Sequence, residues 1–258
     1  MPRYFKGLYM SFGMFCAVPL PVNIWDDKCM NLMLPCFPLV GAIIGAMWWG
    51  LAELLVFSGI NIILVSAVLA VFPFFITGFL HLDGYMDTSD AVLSRRPLED
   101  KLRILKDPHT GAFAVIMVAV LFTMQFAAVY VIIENAQYFI ILIFIAVISR
   151  CCSGLANLCF KPMAQSGYGN MFKTNTGIQH KIFLGFILLI AIGLSFWFAR
   201  IYGLIAAASV ILGFIAAMAY AYKDFKGISG DLIGFALVIS ELCGFFAFAV
   251  TAGGGIIK

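Results

Sequence analysis

The sequence predicts an all-α integral membrane protein: one bundle of about seven transmembrane helices, preceded by a short interfacial helix at the N-terminus. Of its residues, 63% are hydrophobic and only 11% are charged, whereas soluble domains are about 45–50% apolar and about 25% charged. The apolar residues also form runs close to the ~20 residues that a spanning helix needs. Alternating segments typical of membrane β-barrels are absent from the sequence. We therefore expect a single membrane-embedded domain, residues 1–258.

Residues 1–34 are amphipathic and interrupted by prolines, which predicts the short interfacial helix, then a loop with Trp25 at the level of the lipid headgroups. The beginning lacks the apolar core and small-residue cleavage site of a secretory signal. Tight turns at Ser58-Gly59 and around Arg200 separate two pairs of the apolar runs that follow. Their predicted bounds are 35–58, 60–80, 111–133, 137–158, 181–199, 201–222 and 232–251.

The positive charges divide unevenly between the segments that join these runs. With a cytoplasmic N-terminus, fourteen of the sixteen Lys and Arg residues fall on the inner side, including Arg150 at the inner end of the fourth run. Positive charge marks the cytoplasmic side of membrane proteins. The pattern therefore predicts a cytoplasmic N-terminus, an external C-terminus and three long polar loops facing the cytoplasm.

One polar stretch, residues 78–111, holds six of the thirteen acidic residues. Asp83, Asp87 and Asp90 follow each other at i, i+4 and i+7, which places three carboxylates on one face of a helix. Such like charges repel unless a cation lies among them, and an all-oxygen ligand set favours Mg²⁺ or Mn²⁺. Mg²⁺ commonly uses one or two carboxylates and leaves its other positions to water and substrate phosphate. A solvated acidic helix face is the alternative, but this stretch adjoins an apolar run, where ionisable residues are usually functional.

Other candidate residues flank this stretch or follow later in the chain. Pro108 disfavours helix at Asp107, so the loop could turn back there and return Asp107 to the aspartates as a further ligand. His81 could serve as a general base, although a structural hydrogen bond is the commoner role of an isolated histidine. Lys161 and Lys173 could neutralise phosphate oxygens, or simply contribute to a positively charged cytoplasmic loop.

The last run begins with a second group of candidates. Gly230, with Gly227 before it, permits close approach of the backbone to a ligand. Asp231 lies on the same predicted side as the aspartates, and a helix-capping role is its alternative. Glu241 lies inside the run, where a carboxylate is costly unless it is paired or functional. The seven cysteines form no Cys-x-x-Cys pair and are predicted to be small buried apolar residues.

In combination, these residues resemble the cobalamin synthase family, the adenosylcobinamide-GDP ribazoletransferases. The resemblance extends over essentially the whole chain. It rests on His81-Leu-Asp83-Gly84 with Asp87-Thr88 and Asp90, on residues 104–111, on Gly227-x-x-Gly230-Asp231-x-x-Gly234 with Glu241, and on Pro19-Leu-Pro21 and Pro38-Leu-Val-Gly41 with Gly45. One departure is that Ala91 follows Asp90 where many family members have glycine.

This resemblance implies a Mg²⁺-dependent enzyme of late cobalamin (vitamin B12) biosynthesis in the cytoplasmic membrane, with its active face toward the cytoplasm. The family joins adenosylcobinamide-GDP to α-ribazole, or to its 5′-phosphate, and releases GMP. The resemblance implies catalytic roles for His81, Asp83, Asp87 and Asp90, and metal binding by these three aspartates together with Asp107. The base that takes the hydroxyl proton is then His81 or one of the aspartates. Substrate binding is then expected from Asp107, Lys106, Lys161, Gly230, Asp231 and Glu241.

The expected partners are the corrinoid, α-ribazole and the lipid bilayer, with no nucleic acid. Because the corrin is bulky, we expect an open, cytoplasm-facing cavity, which neighbouring subunits or other cobalamin-assembly enzymes could complete. A CDP-alcohol phosphotransferase would use similar aspartates, but its Asp-Gly-x-x-Ala-Arg pattern is not met after Asp83-Gly84. A solute transporter is the third hypothesis, and the absence of internal repeats and the clustering of the aspartates at one face disfavour it.

Overall fold

The computed structural model describes residues 1–134, 138–163, 172 and 176–253, and most of these residues lie in helices. The one bridge between extended segments in this part of the chain joins Pro162 to Ile228. A short 3₁₀ helix, Asp27–Leu32, lies between the first two α-helices. The α-helices are α1 Arg3–Phe15, α2 Met33–Phe57, α3 Ile62–Ile76, α4 Leu80–Leu93, α5 Leu98–Ile104, α6 Ala112–Glu134, α7 Ile141–Cys159, α8 Ile178–Phe225 and α9 Gly230–Gly253.

Five of the helices in the described residues are long and apolar enough to cross a membrane, and α3 with α4 makes six if the bent pair is one span. The protein is thus an all-α, multi-pass membrane protein. Helix α8 is broken at Arg200, whose backbone leaves the helical region. The Ser195 hydroxyl donates to the Gly203 carbonyl at 2.9 Å, although eight residues of straight helix would extend about 12 Å. The chain therefore turns sharply at Arg200, as the sequence predicts; the seven-span count and its orientation remain predictions.

The second apolar run differs from its prediction, because the helix does not continue to residue 80. Helix α3 ends at Ile76, and α4 leaves at an angle of 92°. Gly78 and Phe79 both have positive φ angles, 60° and 61°, and the Thr77 hydroxyl donates to the Pro73 carbonyl at 2.8 Å. The Ala17 amide donates to the Ile76 carbonyl at 2.7 Å. These contacts hold a bend that turns the acidic helix α4 away from the axis of α3.

Helices α7 and α9 are the most enclosed of the candidate spans. Helix α9 packs against α8, α4, α6 and α7. It approaches α4 most closely at Gly84, where an added Cβ would lie 2.8 Å from the Cα and carbonyl oxygen of Asp231. Only a residue without a side chain permits this backbone contact. Gly84 therefore places the beginning of α9 beside the acidic face of α4.

The loops beside this contact are also fixed by specific bonds. Lys101 of α5 is buried and forms an ion pair with Asp224 near the end of α8. The Met163 amide donates to the Ile228 carbonyl at 2.9 Å, and the Ile228 amide donates to the Lys161 carbonyl at 3.1 Å. Both loops are thereby held at the end of the bundle where α4 meets α9.

Candidate active site

A cavity of about 410 Å³ lies where α1, α2, α4, α5, α7 and α9 converge. Its volume is within the range of small-molecule sites, about 300–1,000 Å³. Much of its wall is apolar. Its polar or charged side chains in the described residues are His81, Asp83, Lys106, Ser153, Asn157, Ser229 and Asp231. Five residues predicted from the sequence therefore line one cavity: His81, Asp83, Lys106, Gly230 and Asp231.

Helix α4 carries the three aspartates on one face, because the predicted helix does form around them. Asp83 is exposed, and Asp87 and Asp90 are partly exposed. Asp87 lies close enough to Asp83, Asp231 and Asp90 for each of the three charges to act on it. Among the described residues, none of the three α4 carboxylates has a lysine, arginine or histidine within ion-pair distance. The result is a concentration of negative charge that favours a cationic ligand.

The end of the loop after α4 contacts Asp90 through Gly111, and not through Asp107 as the sequence predicts. An added Cβ on Gly111 would overlap the Asp90 carboxylate, so glycine is required for this approach. Asp107 instead remains exposed and accepts a hydrogen bond from the His109 amide at 2.9 Å, with the His109 ring nitrogen Nδ1 2.7 Å away. Both bonds lower the pKa of Asp107 from its ordinary value, and the bond from the His109 backbone amide has the larger effect. The structure thus does not bring Asp107 to the other aspartates.

No three His, Cys, Asp or Glu side chains in the described part of the chain are grouped so that they already form a metal site. The carboxylates of α4 nevertheless have the oxygen chemistry that Mg²⁺ prefers. Because Mg²⁺ usually takes only one or two carboxylates and completes its shell with water and substrate phosphate, a ready-made group of three is not needed. The donor set therefore fits this ion.

His81 lies at the inner wall of the cavity and is 8% exposed. Its ring centroid lies 6.2 Å from that of Phe15 and 5.9 Å from that of Phe37. Its Nε2 atom is buried and has no hydrogen-bond partner among the described residues. An unpaired buried nitrogen is costly, so His81 has an atom available for a ligand in the cavity.

Asn157 of α7 is a cavity residue that the sequence did not indicate. It is 7% exposed, and its side-chain oxygen Oδ1 has no hydrogen-bond partner in the described structure. It lies within a long apolar run, where a single asparagine carries no distinctive spacing. An uncharged polar residue at membrane depth was the only signal for it, and that signal is weak.

Glu241 is placed away from the other candidates. It lies about ten residues after Asp231 on the same helix, which corresponds to roughly 15 Å along the helix axis. It does not line the cavity. Its carboxylate accepts from the Arg150 guanidinium at 2.7 Å and from the Ser149 hydroxyl at 2.8 Å. The Arg150 guanidinium also lies 5.7 Å from the centroid of the Phe37 ring. Glu241 and Arg150 are therefore partners inside the bundle, and Arg150 is not a charge of the inner loop.

The two predicted phosphate-binding lysines differ in position. Lys106 is exposed but lies at the cavity wall with Asp83 and Asp231. Lys161 is also exposed, and its recorded contact is made by its backbone carbonyl with Ile228. Lys173, predicted together with Lys161, lies outside the described residues. Of the lysines, Lys106 is thus the one whose position supports substrate binding.

Comparison with known proteins identifies the family to which this site belongs. The family model described as cobalamin-5-phosphate synthase matches residues 7–249. The chain belongs to the cobalamin-5-phosphate synthase family. A Clostridium botulinum (strain Alaska E43) protein is 41% identical over 250 residues, with 96% of this chain and 98% of the relative covered. A Clostridium perfringens (strain ATCC 13124) protein is 37% identical, with 97% and 100% covered.

A third relative, from Lachnoclostridium phytofermentans, is 32% identical with 97% of this chain and 96% of the relative covered. All three are named adenosylcobinamide-GDP ribazoletransferase. No solved structure matches the chain significantly. The sequence resemblance to this family is thus confirmed over nearly the full length of the chain. The cavity described above therefore lies in a membrane transferase.

Proposed function

We propose that the chain transfers the cobinamide phosphate of adenosylcobinamide-GDP to α-ribazole or its 5′-phosphate, which is the last assembly step of cobalamin synthesis. The observation that carries this function is the near full-length match to ribazoletransferases, together with a cavity beside a partly exposed acidic face. The enzyme is a transferase embedded in the membrane by several helices. The cytoplasmic membrane, a cytoplasmic active face and assembly with further subunits or enzymes are parts of the proposal that rest on the charge pattern and the size of the corrinoid.

The reaction joins an oxygen atom of α-ribazole to a phosphorus atom. A ribose hydroxyl attacks the phosphorus nearest to cobinamide, the bond from that phosphorus to the bridging oxygen breaks, and GMP leaves with this oxygen. The hydroxyl proton passes to a base, for which His81 is the proposed residue. His81 lines the cavity, and its Nε2 has no hydrogen-bond partner in the described residues, so this nitrogen would accept a hydrogen bond from the attacking hydroxyl.

The acidic face of α4 would bind the charged part of the donor substrate through Mg²⁺. Asp83, Asp87 and Asp90 are the proposed ligands, because they share one helix face and no cation of the described structure neutralises them. Bound Mg²⁺ would withdraw charge from pyrophosphate oxygens and stabilise the leaving phosphate. Lys106, at the wall of the same cavity, would supply a positive charge to a phosphate group.

The test is GMP release from adenosylcobinamide-GDP with α-ribazole or its 5′-phosphate in washed membranes, with Mg²⁺ or with a chelator. We expect release that requires the metal and that Asp87→Asn lowers at least about a hundredfold, since a preorganised electrostatic contact is typically worth that much. Asp100→Asn is the matched control, because Asp100 lies on α5 and pairs with Arg103 at the surface. It should retain wild-type turnover.

Each outcome addresses a different part of the proposal. No release by wild-type membranes with either acceptor would contradict the transferase function. Release that persists in the chelator would contradict the metal. Equal losses in Asp87→Asn and Asp100→Asn would show that negative charge in general, rather than the α4 site, supports the reaction.

A further inference from the structure

We propose that the enclosed part of the cavity is the binding site for α-ribazole, and that Asn157 of α7 recognises this substrate by hydrogen bonding. The inference rests on the proposed function and assigns one of its two substrates to a particular place. It also gives a role to a residue that the family comparison does not point to.

The size of the cavity separates the two substrates. About 410 Å³ suits a nucleoside-sized ligand, since small-molecule pockets typically occupy about 300–1,000 Å³. A corrin macrocycle with its amide side chains and attached nucleotide is several times larger than α-ribazole. The corrinoid must therefore remain largely outside, and only its reacting phosphates need to reach the mouth of the cavity.

The apolar wall suits the base of α-ribazole, which is a flat bicyclic ring with two methyl groups. Phe15 and Phe37 line the cavity with their ring centroids 4.3 Å apart, and Leu34, Met163 and Ile233 contribute aliphatic surface. Aromatic side chains bind flat rings by stacked or edge-on contacts. A bare phosphate would gain little from so apolar a wall, and a guanine base would leave the polar groups of its edge unpaired there, whereas a dimethylated ring would bury apolar surface.

Two residues that line this wall, from different helices, each carry a buried polar atom without a partner in the described part of the chain. His81 Nε2 on α4 and Asn157 Oδ1 on α7 are both buried and both lack a hydrogen-bond partner in the described residues. Their side chains line the same cavity and are more than nine-tenths buried. Leaving two such atoms unpaired destabilises the empty protein. A ligand with hydroxyl groups satisfies both, and the ribose of α-ribazole supplies them.

This arrangement also orients the acceptor for the reaction. The cavity that holds His81 and Asn157 is lined by Asp83 and Asp231 as well. A ribose bonded to His81 and Asn157 would therefore lie beside the carboxylates of the proposed phosphate site. The base would occupy the apolar wall, and the ribose hydroxyl would face the phosphorus atom.

The test compares the Michaelis constants of both substrates in the purified protein for two leucine variants. Asn157→Leu preserves the side-chain shape but removes its hydrogen bonds, and it should raise the KM for α-ribazole about tenfold, the effect of one lost hydrogen bond, with little change in the KM for adenosylcobinamide-GDP. Gln125→Leu is the control: this amide is equally buried but bonds to the Ala70 carbonyl, away from the cavity. It should leave both Michaelis constants unchanged.

Asn157→Ser serves as a second variant in case the leucine variant does not fold. It introduces a hydroxyl that can still hydrogen-bond, so it should give a smaller increase in the same constant. An unchanged KM for α-ribazole in a folded Asn157 variant would overturn the inference, since the polar atom would then bind only water. An increase confined to adenosylcobinamide-GDP would overturn it too, by assigning the cavity to the other substrate. In both cases wild-type GMP release would still stand, so the failure would concern the subsite and not the proposed function.

Discussion

Replacing Glu241 by glutamine tests whether this carboxylate is a structural partner, as its contacts indicate, or a substrate ligand, as the family resemblance implies. In the protein, the side chains of Arg150 and Glu241 are 2% and 9% exposed and their charged atoms lie 2.7 Å apart. Glutamine preserves the size of the side chain and can still accept from the Ser149 hydroxyl. What it removes is the negative charge that neutralises Arg150.

The expected loss follows from the burial of the pair. Breaking a buried ion pair by removing one partner typically costs about 3–5 kcal/mol, because the other charge is left uncompensated. Since glutamine retains one hydrogen bond, we expect Glu241→Gln to lower the free energy of unfolding by about 3 kcal/mol. Arg150→Met should have a similar effect. The double variant Arg150→Met/Glu241→Gln should lose clearly less than the sum of the two, because no unpaired charge remains.

The assay is equilibrium unfolding in detergent micelles followed by circular dichroism, combined with the Michaelis constants of the folded variants. The structural role predicts coupled losses of stability with both Michaelis constants near wild type. Additive losses in the double variant would refute the pairing. So would a Glu241→Gln protein of wild-type stability whose KM for adenosylcobinamide-GDP is raised, because Glu241 would then contact the substrate.

Two further substitutions test the geometry around α4. Gly84→Ala would place a Cβ 2.8 Å from the backbone of Asp231, so α4 and α9 must separate; we expect a loss of about 1–3 kcal/mol in the same unfolding assay and reduced GMP release. Gly50→Ala adds a methyl group to open space inside helix α2 and is its control: it should leave GMP release unchanged and raise the free energy of unfolding by about 0.5–1 kcal/mol, because alanine favours helix over glycine. Asp107→Asn should leave metal-dependent GMP release within about twofold of wild type, because surface substitutions away from special contacts have small effects and, within the described residues, the Asp107 carboxylate bonds to its neighbour His109. A loss as large as that of Asp87→Asn would restore Asp107 to the metal ligands.

The helices could be predicted from the sequence because hydropathy reports burial along the chain. Predicted runs such as 111–133 and 232–251 correspond to α6 and α9 within three residues. The end of α3 could not be predicted in the same way, because residues 77–79 lie inside an apolar run. The bend there depends on two positive φ angles and on a bond from Ala17 to Ile76, 59 residues apart in the chain.

In the candidate site, too, the local features could be predicted from the sequence and the long-range contacts could not. The spacing of Asp83, Asp87 and Asp90 predicts their common face, because helix periodicity is local. The proximity of Asp231 depends on a contact with Gly84 almost 150 residues away, and only its predicted side of the membrane suggested it. The partner of Glu241 could not be found from the sequence, because Arg150 also fits the pattern of a cytoplasmic positive charge. Hydropathy predicts how deep in the membrane a charged residue lies, but it does not predict which residue of another helix pairs with it.

The bend between α3 and α4 explains how a membrane-embedded chain can act on water-soluble phosphates. A straight continuation of α3 would carry Asp83, Asp87 and Asp90 along the axis of an apolar helix, where unpaired carboxylates are costly. The 92° turn instead packs the face of α4 that carries Tyr85 against α6 and α9, with the Tyr85 hydroxyl bonded to the Met117 carbonyl at 3.1 Å. The opposite, acidic face stays partly open to solvent. One helix can thus close the wall of an apolar cavity and present carboxylates to a nucleotide, which is the combination that joining a ribazole to a GDP-activated corrinoid requires.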